Sequence, residues 1–150
     1  MSFMSVITIR EQEQTATEFV ASLSFRDGEY DIEYDIIITD PFTPQEEREL
    51  EWYFEEWLVY PMVDKIRAER AKDSVKTYAK RLFDQVFQNR QAYSKYQQLR
   101  NNLSQVQIEI VSKTPEFQAL HWEALQDPDL PRPLAVDCVC GKALTLLLGL

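Results

Sequence analysis

Three glycines, two cysteines and one histidine are spread over 150 residues, and no apolar run approaches the length of a membrane span. Each scarcity excludes something. There is no glycine-rich phosphate loop, no serine in a nucleophile-elbow setting and no HExxH pair for zinc. Cys138 and Cys140 stand too close for an ordinary disulfide, and no signal peptide precedes the acidic N-terminal half, so a reducing cytoplasm is the expected compartment. The longest apolar run, Ala143 to Leu150 with one Thr and one Gly in it, falls far short of the ~20 residues of a membrane helix, which rules out membrane spanning, and no membrane is expected among the partners. Basic side chains are scarce as well. Sixteen Lys and Arg against 25 Asp and Glu leave a net charge of −9 and a pI near 4.6, which argues against nucleic acid as a partner because phosphate contacts need a basic surface.

What is present suits one globular domain. The chain is 45% hydrophobic and long enough to bury a core without disulfides or a metal. Its charge is uneven: residues 1–60 hold 3 basic and 15 acidic side chains, residues 61–104 hold 10 and 4, and the remainder 3 and 6. Lys65, Arg67, Arg70, Lys72, Lys76, Lys80 and Arg81 form a basic island on a segment of helical pattern. They suit a docking strip for an acidic partner or a solvated helix face. The apolar residues of the segment occupy the complementary helical positions, which favours the solvated face.

Between Thr17 and Ile38 the pattern has period two, broken by Arg26-Asp27-Gly28-Glu29, as in an antiparallel hairpin whose Gly28 supplies a positive φ. Glu29, Asp31, Glu33 and Asp35 then share the solvent face of the second strand. Ligands on one flat face do not encircle an ion, so they are not read as a calcium site. Met4 to Arg10 is expected to add a shorter strand. Thr43-Pro44-Gln45-Glu46 reads as a capping box, followed by the helical stripe Leu50, Tyr53, Phe54, Trp57 and Leu58 up to Pro61. Val75, Tyr78, Ala79, Leu82, Phe83, Val86 and Phe87 mark a second helix, and Tyr93, Tyr96 and Leu99 a weaker third closed by Asn101-Asn102. Val106 to Val111 carries the β-branched signature of a buried strand. Phe117 to Leu125 is a compact apolar and aromatic knot, residues 127–133 a turn region, and Leu134-Ala135-Val136 the start of another strand. This alternation predicts an α/β fold: an N-terminal antiparallel hairpin, two to three amphipathic helices, then further strands. The final stretch from Cys138 has no cap, alternation or turn signal, and is expected to stay outside the core.

Candidates for chemistry are few. His121 with Cys138 or Cys140 would make a nucleophilic dyad, but no glycine-rich turn flanks His121 to supply oxyanion donors. Zinc held by His121, Cys138 and Cys140 lacks a fourth ligand and the usual gap between cysteines. Neither is adopted, so no catalytic residue, metal or cofactor is assigned.

Two blocks carry a family resemblance. Glu49-Leu50-Glu51-Trp52-Tyr53-Phe54-Glu55-Glu56-Trp57-Leu58 with Tyr60-Pro61, and Leu120-His121-Trp122-Glu123-Ala124-Leu125 with Asp127-Pro128, resemble the N-terminal part of CHAT domains, caspase-like cysteine peptidase domains frequent in cyanobacterial proteins. The first matches the family's aromatic "WYLEDYL…P" helix. The second matches "LPWELL.D", with His121 in place of proline. Leu82-Phe83 and Val106 to Ile110 also fit, so the resemblance spans residues 15–137, after a lead-in of residues 1–14 and before a divergent apolar tail of residues 138–150. It implies a partial caspase-like sheet. In relatives the catalytic His lies next to Gly after a later strand, with the Cys later still. His121 sits beside Trp122 instead, and neither Cys has a matching setting. The resemblance therefore implies a non-enzymatic stretch, truncated before the catalytic residues, with protein interaction as its role. The expected partners are a separately encoded catalytic half or a repeat-containing regulator.

Overall fold

Asp27-Gly28 turns the chain between β2 (Phe19–Asp27) and β3 (Tyr30–Ile38), and Gly28 takes φ 62°, a conformation that side chains with a Cβ avoid. The structure, a computed structural model, describes residues 5–28, 30–53, 55, 64–134 and 138–146. β2 and β3 pair antiparallel from Phe19 opposite Ile38 to Asp27 opposite Tyr30. On the other side of β2 lies β1 (Ser5–Gln14), also antiparallel, with a bulge between Glu11 and Glu13. β1 was expected to stop at Arg10. It continues because Glu11 is buried within the sheet and Glu13 and Gln14 still pair with Val20 and Phe19.

Helices follow where caps and apolar spacing placed them. Thr43 and Glu46 form the reciprocal capping box of α1 (Pro44–Trp52), each side chain accepting the other's backbone N–H at 3.2 Å. Leu50 is buried and Tyr53 half-buried, while Phe54, Trp57, Leu58 and Pro61 lie outside the described residues. Asp64 caps α2 (Lys65–Val86), whose Tyr78, Ala79, Leu82, Phe83 and Val86 are buried. Lys65, Arg70, Lys72, Lys76, Lys80 and Arg81 are exposed on the opposite face. Arg67 departs from them: it binds both carboxylate oxygens of Glu49 at 2.7 and 3.0 Å and lies 4.0 Å over the Trp52 ring, joining α2 to α1. Asn89 caps α3 (Arg90–Leu99), where Tyr96 is fully buried. A tighter 3-10 segment, Arg100–Gln105, leads into β4 (Val106–Ser112).

β4 runs parallel to β1, from Ser5 opposite Val106 to Arg10 opposite Val111. After α4 (Pro115–Gln118) and a 3-10 turn at Trp122–Ala124, the chain reaches β5 (Val139–Leu146). This corrects two expectations. The strand does not begin at Leu134, which is assigned helical and whose carbonyl accepts the Cys138 N–H at 2.9 Å, and Ala135 and Val136 lie outside the described residues. Nor does the sequence from Cys138 lack a register, since β5 pairs in parallel with β4 from Gln107 opposite Val139 to Ser112 opposite Leu146. Parallel strands commonly read as continuous apolar runs, which is why alternation gave no signal there. Residues 147–150 lie outside the described residues.

The result is an α/β fold on one mixed sheet of order β3-β2-β1-β4-β5. One face, with Ile7, Ile9, Leu23, Phe25, Ile36 and Ile110, packs with α2 and α3 into the core.

Candidate functional site

The conspicuous chemistry collects around His121, between α4 and the 3-10 turn. Its backbone N–H donates to the Tyr78 hydroxyl at 2.9 Å, and its ring packs edge-on against the contacting pair Tyr78 and Phe42, centroids 5.2 and 6.0 Å away. Nε2 meets a Glu47 carboxylate oxygen at 2.6 Å and Nδ1 meets Glu123 at 3.4 Å. Glu47 comes from the first turn of α1, so α1 and the block beginning at Leu120 are pinned together through this ring. Hydrogen bonds to Glu123 and Glu47 raise the His121 pKa to about 9, against the opposing effect of partial burial. Near neutral pH the ring is therefore an imidazolium. Both of its ring nitrogens face carboxylates, so the ring acts as a clamp between α1 and the segment after α4. Burial pushes the Tyr78 hydroxyl upward, keeping it neutral as the acceptor of the His121 N–H.

The cysteines stand elsewhere. Cys138 is buried and close enough to Tyr96 to influence its hydroxyl, while the backbone of Cys140 belongs to β5. Among the described residues no three His, Cys, Asp or Glu side chains converge as a metal site would require.

Two carboxylates are wholly buried: Asp127, the aspartate of the second motif block, and Glu11, which no motif marks. Glu11, near the C-terminal end of β1, accepts the Lys113 and Thr114 N–H groups at 2.6 and 2.8 Å and the Thr114 hydroxyl at 2.8 Å. The C-terminal ends of parallel strands are where α/β sheets commonly bind ligands, but here the chain's own donors occupy this carboxylate. Asp127 accepts from the Tyr96 hydroxyl at 2.7 Å, from Arg100 at 3.1 Å and from the Asp129 N–H at 2.9 Å. Burial, then Asp127, raises the Tyr96 pKa, and the hydrogen bonds to Asp127 and Asp129 raise that of Arg100. Both clusters hold segments together, and neither presents an unused acid, base or nucleophile. In a chain with 25 acids no local pattern marks Glu11 or Glu47, whereas Asp127 falls in the second motif block, whose resemblance gave no sign of its partners.

Compared with protein-family models, with curated proteins and with solved structures, the chain matches none. No helix among the described residues is long and apolar enough to cross a membrane.

Proposed function

We propose that these residues form the N-terminal, non-catalytic portion of a CHAT-like, caspase-related domain, which acts in the cytoplasm by binding another protein. The observation that carries this reading is the sheet edge at β5. Strands β1, β4 and β5 run parallel, and among the described residues no further strand lies beyond β5. Such an edge offers a row of backbone donors and acceptors as a template for another chain. The two motif blocks support the reading by their placement: Glu49 to Tyr53 lie at the C-terminal end of α1, and Leu120, Trp122 and Leu125 are buried in the core.

The β5 edge favours one occupant, a separately encoded catalytic half that continues the parallel sheet. A repeat-containing regulator is the rival partner. Two measurements test this. The purified chain should hydrolyse neither basic nor acidic reporter peptides, and thiol-sensitive turnover abolished by Cys138→Ala or Cys140→Ala would overturn the non-catalytic reading. Mixed with a separately expressed catalytic half of a CHAT domain, the chain should co-elute with it and its β5 amides should exchange more slowly. Separate elution with unaltered β5 exchange would overturn the pairing.

A further inference from the structure

The other end of the sheet is built differently. Among the described residues no strand pairs with the outer edge of β3, so alternate residues of β3 direct their N–H and C=O groups away from β2. One face of β3 carries Asp31, Glu33, Asp35 and Ile37, all exposed. Across the strand they stand opposite Arg26, Ser24, Ser22 and Val20. Asp31 has a cation opposite, whereas Glu33 and Asp35 form no ion pair among the described residues. Apolar surface accompanies the charge: Ile32 and Ile37, at 37% and 49% exposure, are two of the three exposed large hydrophobic side chains among the described residues. A groove of about 780 Å³ opens beside Ile37, lined by Glu33, Asp35 and Ile37 together with Gln12, Gln88 and Asn89, while Ile32 lies on the opposite face of the strand.

We propose that the β3 edge receives an extended basic segment of another protein, with Lys or Arg at alternate positions, as an added antiparallel strand. Period-two spacing brings the guest's cations beside Asp31, Glu33 and Asp35, while the intervening side chains fall on the Ile32 and Tyr34 face. A second copy does not fit. Two antiparallel β3 edges centred on Glu33 would set Glu33 against Glu33 and Asp31 against Asp35, and like charges directly opposite are destabilising. The chain's own basic island is no rival guest, because it is held in α2. This inference stands independently of the CHAT reading, which concerns the β5 edge.

Synthetic seven-residue peptides test it: an alternating Lys-Val sequence, the same composition as one Lys block and one Val block, and an alternating Glu-Val sequence. The alternating Lys-Val peptide should bind the full chain by fluorescence anisotropy, weaken with added salt and slow exchange of the β3 amides. The paired substitution Glu33→Lys and Asp35→Lys should weaken binding about tenfold. The neutral pair Glu33→Gln and Asp35→Asn gives the same direction of change if the lysine pair disturbs folding, as circular dichroism will report. No binding, equal binding of the block peptide, protection at β5 instead of β3, or indifference to both variants would overturn the proposal. So would self-association of the chain that the same variants abolish.

Discussion

Protonation of His121 is favoured by Glu123, two residues along, and by Glu47, which lies 74 residues away in the chain. The folded pKa, near 9, is raised above the ordinary value of 6.5, so the folded state holds the proton more tightly than the unfolded chain. Once both carboxylates are ionised, this stabilisation is fully present below about pH 6.5 and is lost as pH rises through about 9. Both glutamates are exposed enough for water to screen them, which limits the contribution to about 1 kcal/mol. Urea denaturation at pH 6 and pH 9.5 should show that loss in the wild-type chain, while His121→Gln should remove this component of the difference. A wild-type stability that rises across the interval would contradict the clamp. The sequence made His121 conspicuous as the single histidine, yet it gave no sign of its state. That state depends on how α1 meets the segment after α4.

At the scale of an element, α2 is the part most completely legible in the sequence. Its apolar spacing fixes which side chains turn inward, and Phe83 is 2% exposed, with the Phe87, Tyr96 and Tyr93 rings at 4.7, 5.3 and 6.2 Å. Phe83→Ala should cost about 3–5 kcal/mol in chemical denaturation, because the neighbouring rings close only part of the cavity. A loss below about 1 kcal/mol would place Phe83 outside the core. β5 is the opposite case. Its composition lacks alternation, and its pairing is decided by the edge that β4 offers.

For the whole molecule, β5 changes what the end of the chain does. An apolar tail outside the core would be dispensable, whereas a strand paired along β4 holds one end of the sheet. Deleting residues 138–150 should therefore lower the urea midpoint and reduce the strand signal in far-ultraviolet circular dichroism, since β4 loses its parallel ladder to β5. An unchanged midpoint with higher solubility would return these residues to the role expected from the sequence.

Neighbouring residues alone enforce the positive φ of Gly28, the capping box of Thr43 and Glu46, the inward stripe of α2 and the apolar character of β4. Each follows from interactions within a few residues, so a local pattern encodes it. The order β3-β2-β1-β4-β5, the pairing of β5 and the burial of Glu11 and Asp127 arise instead from contacts between distant segments. Glu11 meets its donors 101 to 103 residues along the chain, and Asp127 meets Tyr96 across 31. No periodicity records such meetings, because the cost of burying a carboxylate is offset by donors that only the folded sheet and helices bring to it.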